Sequence, residues 1–224
     1  MANVNKLFAQ NSTEHPFIDP KDIKSDTCIK CHPNEANGKF VHAAVGLGCE
    51  SCHTATSEMN RTIITDIATG GNLCALCHDA KKDAVPHEPY KTGQCLVCHD
   101  PHASNYPDEI RASANTLCLS CHGLGQPAVQ ANSATKLVTM IGNQTVPYDD
   151  YRRAPKLELD PGGITGHPIA GHPLIGKDPR NKDGTLSCLS CHAPHSSALP
   201  KLMPAGVTSP SDLCAECHKS GARP

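Results

Sequence analysis

The sequence predicts a mostly irregular coil with short α-helices, at most a small β-hairpin, and otherwise little regular secondary structure. Three observations lead there. Aromatic residues make up 3% of the 224 residues and Trp is absent. Gly and Pro together number 36, and both interrupt regular elements. The hydrophobic fraction of 38% includes 14 cysteines. A chain so poor in large apolar side chains cannot bury a core of ordinary size from polypeptide alone.

The cysteines obey one rule. All fall into seven C-x-x-C-H motifs: Cys28/Cys31/His32, Cys49/Cys52/His53, Cys74/Cys77/His78, Cys95/Cys98/His99, Cys118/Cys121/His122, Cys188/Cys191/His192 and Cys214/Cys217/His218. In such a motif two thiols take up the vinyl groups of a haem as thioethers, and the adjacent histidine ligates its iron. Structural zinc or a disulfide framework would also use paired cysteines. Neither requires a histidine directly after every second cysteine. The expectation is therefore seven covalently attached haem c groups, whose macrocycles supply the missing apolar volume and make the fold haem-cored.

Seven proximal histidines leave seven iron positions to fill, and seven histidines remain: His15, His42, His87, His102, His167, His172 and His195. Six of them adjoin a proline, which fixes φ and pushes the preceding residue toward extended conformations. That lowers the entropy lost when an imidazole is presented to a metal. These seven are the expected distal ligands. His102, three residues past His99, cannot reach around the macrocycle to the same iron, because three residues span at most about 11 Å. It is expected to serve a different haem and to hold two haems close together. Met59, Met140 and Met203 could ligate but follow no recurring pattern, so packing is their expected role.

Along the chain, residues 1–27 form an N-terminal arm carrying His15, and 28–122 form a five-haem region with first cysteines spaced 21 to 25 residues apart. Residues 123–187 are a motif-free insertion supplying distal histidines, expected to fold back over the haems. Residues 188–224 form a two-haem C-terminal region. Short helices are expected where a motif sits in a helical turn, over Asn72–Lys82 and Asp108–His122. Another starts at Ser209 as N-cap, with Pro210 at N1, and stops at Gly221. A hairpin is expected from Thr135–Met140 and Gln144–Pro147 around a Gly-Asn turn.

The segments CLVCHDPHAS (from Cys95) and CLSCHAPHSS (from Cys188) nearly match, and each is followed by a further motif. Over residues 42–122 and 172–218 the chain resembles the paired, or doubled, C-x-x-C-H cytochromes. CESCHTATS, from Cys49, departs by lacking the Pro-His. The resemblance implies a multihaem cytochrome c of anaerobic respiration, an electron conduit rather than an enzyme. Pentahaem nitrite reductases are similar in haem density but use C-x-x-C-K at the catalytic haem, which does not occur here. A nitrite- or hydroxylamine-converting enzyme with one open haem is the less favoured alternative.

Extracellular cytochrome filaments, or nanowires, of metal-respiring microbes also resemble this chain. That resemblance implies a head-to-tail homopolymer, with His15 as a candidate ligand in trans. A monomeric electron shuttle is the alternative. The redox partners would be proteins or extracellular acceptors. No basic patch suggests nucleic acid and no apolar run suggests a membrane span. Haem attachment of this kind implies export to the extracellular space or cell surface, with the periplasm as alternative, although residues 1–16 contain no apolar signal region. Asn11, Asn60 and Asn143 lie in N-x-S/T sequons.

Overall fold

The computed structural model describes residues 15–68, 70–124, 130–132, 134–179 and 184–218. The chain forms two compact units, and they interleave rather than follow one another in consecutive blocks. The first comprises Met1–Asp79 and Gly93–Ile110, and the second Ala80–Thr92 and Arg111–Pro224. The first four C-x-x-C-H motifs lie in the first unit and the last three in the second.

In chain order the described strands are β1 (His15–Pro16), β2 (Phe40–Val41), β3 (His53–Glu58), β4 (Arg61–Asp66), β5 (Val85–Pro86), β6 (Ala103–Ser104), β7 (Gln130–Asn132), β8 (Leu137–Thr139), β9 (Thr145–Pro147) and β10 (Ser196–Ser197). The α-helices are α1 (Ser25–Cys31), α2 (Gly71–Cys74), α3 (Glu88–Lys91), α4 (Ala114–His122), α5 (Tyr148–Arg153) and α6 (Pro210–Cys217). Single 3-10 turns and coil connect them. The mostly irregular fold is as expected, though its strands form four small sheets and not only one hairpin.

In the first unit, β3 and β4 form an antiparallel hairpin that sets His53 opposite Asp66, and β1 adds to the outer edge of β4. The β-branched Thr and Ile of RTIITD suit a pleated, half-buried strand. Thr62 is 2% exposed and its Oγ1 accepts the Ile18 N–H at 2.8 Å, tying down the chain just past β1. The two-residue strands β2 and β6 pair so that Val41 opposes Ala103. The His42 N–H then donates to the His102 carbonyl at 2.8 Å.

The second unit holds the expected hairpin as strands β8 and β9, extended by β7 into a three-stranded sheet. Its turn uses positive φ at Gly142 (71°) and Asn143 (58°). A Cβ on Gly142 would also sit 2.8 Å from Arg111 Cδ. This sheet and its turn hold three of the polypeptide's few buried apolar residues: Val138 is fully buried, Met140 4% exposed and Val146 5%. Strand β5 pairs with β10 in the same way as β2 with β6, and the His87 N–H donates to the His195 carbonyl at 2.8 Å.

Two expected helices come out shorter. Over Asn72–Lys82 only one turn, α2, is α-helical, because the polar run after His78 offers no apolar face to bury. Over Asp108–His122 the helix begins at Ala114. Asp108 and Glu109 have φ of 56° and 51°, a left-handed conformation that no α-helix continues through. Ser209 caps α6 as expected, and Asp212 accepts the Ser209 N–H in return. α6 ends at Cys217 with His218 as its C-cap, short of the expected stop at Gly221, while Asn11 and the arm before His15 lie outside the described residues.

A Cβ at Gly38 would meet the Ser104 carbonyl oxygen at 2.9 Å and Ala103 Cβ at 3.0 Å. Gly38→Ala is expected to push β6 away from β2 and expose the His42 amide. Hydrogen exchange at that amide should quicken at least tenfold, a loss of about 1.4 kcal/mol of local stability.

Candidate haem-attachment and axial-ligand sites

Each motif is built on a tight turn. Outside α4, whose last residue is His122, the histidine N–H donates back to the carbonyl of the first cysteine in five motifs: His32 to Cys28 (2.9 Å), His78 to Cys74 (2.9 Å), His99 to Cys95 (3.0 Å), His192 to Cys188 (3.0 Å) and His218 to Cys214 (2.8 Å). One such turn sets the first cysteine and the histidine on one face, with the second cysteine beside them. None of the 14 cysteines is in a disulfide or buried. Among the described residues the cluster of metal-ligating side chains is Glu35, Asp100 and His102, which contains no cysteine. A four-thiolate or mixed zinc site would need such convergence.

The second cysteines divide into two groups. Cys31, Cys121 and Cys217 lie within α1, α4 and α6. Cys52, Cys98 and Cys191 are not helical: each directly follows a single 3-10 turn, Cys49–Ser51, Cys95–Val97 or Cys188–Ser190. The Cys98 N–H donates to the Cys95 carbonyl and the Cys191 N–H to the Cys188 carbonyl, each at 3.2 Å. Both side chains are half-buried. Proline placement does not separate the groups: Pro101 and Pro194 stand three residues after Cys98 and Cys191, while Pro33 stands two residues after the helical Cys31. After Cys52 the chain enters β3 at once. Cys77 also lies past its helix, with its N–H on the Cys74 carbonyl at 3.2 Å.

The histidines arrange themselves in facing pairs. His15 lies 6.0 Å from His32 between ring centres, His42 5.8 Å from His78, and His53 6.0 Å from His102. In the second unit His87 lies 6.0 Å from His122, His167 6.1 Å from His192, and His172 6.3 Å from His218. Every pair joins one motif histidine to one histidine outside the motifs. Metal–imidazole bonds of about 2 Å on both sides of one ion, with the depth of each ring added, set the ring centres roughly 6 Å apart. The residues present therefore fit a haem iron with two axial imidazoles. His102 faces the second motif and not its neighbour His99. The arm's His15 faces the first motif of its own chain.

The orientation of the rings is an independent observation. A metal-bound histidine passes its other ring N–H to an oxygen acceptor, which fixes tautomer and angle. Here Nδ1 donates to the carbonyl of Pro16 from His15 (2.9 Å), of Pro101 from His42 (3.1 Å) and of Pro194 from His87 (3.0 Å). It donates likewise to Asp108 from His99 (2.7 Å), Pro155 from His122 (2.8 Å), Pro173 from His172 (3.0 Å) and Lys201 from His192 (2.9 Å). Each of these leaves Nε2 to ligate. His53 and His102 meet carboxylates instead, Asp66 and Glu35. Burial, then the facing His122, pushes His87 below the ordinary histidine range; burial, then His192, does the same to His167.

Sequence reading missed the loop behind two of these contacts. After CHDPH and CHAPH, the serines fold the chain over. Ser104 Oγ donates to the Ile110 carbonyl at 2.8 Å, and Ser197 Oγ to the Met203 carbonyl. Left-handed residues follow at Asp108–Glu109 and Lys201–Leu202, and they turn a carbonyl back onto His99 and His192. The recurring Ser and the later Pro were visible as a repeat, but their purpose was not.

The motif-free insertion supports the second unit's pairs. It supplies His167 and His172, and the Pro155 carbonyl that aims His122. Asp160 holds the loop bearing the two histidines: its Oδ2 accepts from the Gly171 N–H at 2.7 Å and from Thr165 Oγ1 at 2.9 Å. His99 donates to Asp108, while His195 packs on Tyr90 with ring centres 5.0 Å apart. Of the methionines, Met59 is 96% exposed and Met140 is buried in the sheet core.

Cysteines of different motifs also meet. Cys28 lies against Cys49, and Cys74 against Cys95, in each case the first cysteines of two motifs. Cys52 and Cys77 are close enough to interact electrostatically. In the second unit Cys118 lies against Cys188, a contact that holds the Cys188 thiol down to about 7. Before attachment, burial chiefly, then Cys49, raises the Cys28 thiol, and burial, then Cys95, raises Cys74. Gly71 permits the Cys74 contact, since a Cβ there would lie 2.7 Å from Gly93 Cα.

Attachment turns, paired imidazoles and their oxygen acceptors define a c-type cytochrome with several haems, a class that transfers electrons. Comparison with known families agrees: the doubled CXXCH motif family matches residues 87–125 and 179–223, and the family of cytochrome c7 and related cytochrome c matches residues 35–100. The chain is a multihaem c-type cytochrome that binds haem c through its CXXCH motifs. No curated protein and no solved structure matches it significantly. Among the described residues no helix is long and apolar enough to cross a membrane.

Asp160→Ala is expected to loosen the loop that displays His167 and His172. Electron paramagnetic resonance of the ferric protein should then show high-spin signal from up to two centres, with all haems still attached by mass.

Proposed function

We propose that this chain is a heptahaem cytochrome that passes electrons through irons each closed by two imidazoles. The single observation that carries this reading is the set of six facing ring pairs, each at the spacing of a shared metal. A bound haem iron supplies a one-electron Fe(III)/Fe(II) couple, and the protein's part is position, burial and ligand field. With both axial faces taken by histidine, no face is left for a substrate. That favours a carrier over an enzyme of the nitrite or hydroxylamine type.

The cysteine contacts support a path in sequence order. In the first unit the attachment points of motifs one and two, two and three, and three and four adjoin. In the second, motif five adjoins motif six. His172, which faces the seventh motif, interacts electrostatically with His167, which faces the sixth. The ferric protein is expected to show only low-spin signals, and the ferrous protein to bind no carbon monoxide. A stoichiometric high-spin centre that takes up carbon monoxide or nitrite would overturn the carrier reading.

The protein is placed by this proposal outside the cytoplasm, as an extracellular or cell-surface subunit of a conducting filament. Because His15 lies against His32 of its own chain, polymerisation through the arm requires exchange between copies, with the same ring pair and the same β1–β4 pairing formed in trans. The closed arm favours the second reading, a monomeric shuttle in the periplasm or beyond. Electron microscopy separates them. Filaments from the wild type and none from His15→Ala, with all seven haems attached, are expected for the polymer. Single particles at every concentration would establish the shuttle.

A further inference from the structure

Among the nine histidines with a described Nδ1 partner, the two of the second motif's ring pair are the ones that face carboxylates. His53 Nδ1 is 2.8 Å from Asp66 Oδ1, a close charge contact rather than a well-aligned hydrogen bond. Across the pair, His102 Nδ1 is 2.6 Å from Glu35 Oε2, with Asp100 Oδ1 at 3.9 Å. Both imidazoles are about two-thirds buried, so these charges are only partly screened. Seven other histidines present Nδ1 to a neutral backbone carbonyl.

The carboxylates arise where the repeat is broken. CHDPH and CHAPH lead into a loop that returns a carbonyl to the motif histidine. CESCHTATS has no such loop, and the β3–β4 hairpin takes its place, setting Asp66 directly opposite His53. On the other side, Asp100 stands where the second copy has Ala193. Glu35 comes from the turn Pro33–Ala36 that directly follows the first motif. Neither acid is needed for the loop to form, since the copy around His192 forms it without them.

We propose that Asp66 and Glu35, with Asp100 behind, are positioning residues that set the second motif's haem to the lowest reduction potential in its unit. The proposal rests on the reading of His53 and His102 as the two axial ligands of that haem. A negative charge held this close to Nδ1 makes the imidazole more basic, and a more basic ligand favours Fe(III) over Fe(II). Acting on both axial ligands of one iron, the effect accumulates. The second centre then holds electrons least, and drives them toward its neighbours on motifs one and three.

The test is spectroelectrochemical titration of the full protein with Asp66→Asn, Glu35→Gln and the double variant. One couple should move upward. Each single change should alter the ferric-to-ferrous ratio of that centre at least tenfold at fixed potential, about 59 mV for one electron. The double variant should move further, and the others should stay within a small fraction of that. Asp66→Glu, which keeps the acid, should restore most of the wild-type value. Asp149→Asn, on exposed helix α5, should change nothing. Seven attached haems and unchanged potentials in both single variants would overturn the proposal, as would a uniform shift of all couples. A high-spin ferric signal in the wild type would instead sink the two-imidazole reading beneath it.

Discussion

An imidazole binds a metal well only when its free nitrogen is aimed, and here the aiming is done by the other nitrogen. Nine histidines have Nδ1 against a carbonyl or carboxylate oxygen. One such hydrogen bond contributes only about 1 kcal/mol to stability. Its larger effect is geometric, because it fixes which nitrogen faces the metal and at what angle. Most of the short secondary structure can be understood as delivery of those oxygens. Two-residue strands, left-handed pairs and single 3-10 turns would stabilise little by themselves. They bring one carbonyl to one ring.

That economy explains why so little polypeptide core is needed. The buried apolar residues among those described are Val97, Ala112, Val138, Met140, Val146, Leu174 and Val207, and three of them belong to one small sheet and its turn. Meanwhile Leu76, Leu96 and Leu189, inside the motifs, are exposed on the polypeptide. In a chain with 3% aromatic residues the apolar contacts of such side chains are matched to macrocycles, not to one another. Attachment and folding are then coupled, as they are in small metal-dependent domains.

The sequence made the attachment chemistry legible because covalent chemistry is local: two thiols and an imidazole within five residues. The backbone carrying that chemistry was less legible: Cys98 and Cys191 leave a single 3-10 turn, whereas Cys31 ends a helix with Pro33 only two residues ahead. The β8–β9 hairpin was visible, because its Gly-Asn turn demands positive φ, and so was the cap at Ser209. The histidines outside the motifs could be named from composition and neighbouring prolines, but not matched. His102 faces a motif far earlier in the chain, because the pairing of β2 with β6 sets Ala103 opposite Val41. The β3–β4 hairpin was overlooked, since Thr-rich strands with one polar face carry weak patterning. The carboxylates behind His53 and His102 were invisible for a further reason. Asp66, Glu35 and Asp100 are ordinary surface acids until strand register brings them to a ring.

The internal repeat turns this into an argument about design. His42 and His87 are held identically, each by an N–H to a histidine carbonyl and by Nδ1 to the carbonyl of the proline before it, Pro101 or Pro194. The loops around His99 and His192 also coincide, down to the serine and the left-handed pair. What repeats is whatever aims a ring. What differs between copies is the charge behind the ring: Asp100 against Ala193, and the Asp66 hairpin where a carbonyl loop would be. Geometry and charge are thus separable in this chain. A scaffold that fixes imidazole pairs by backbone carbonyls leaves side-chain positions behind those rings available to adjust individual irons, with no rearrangement of the path between them.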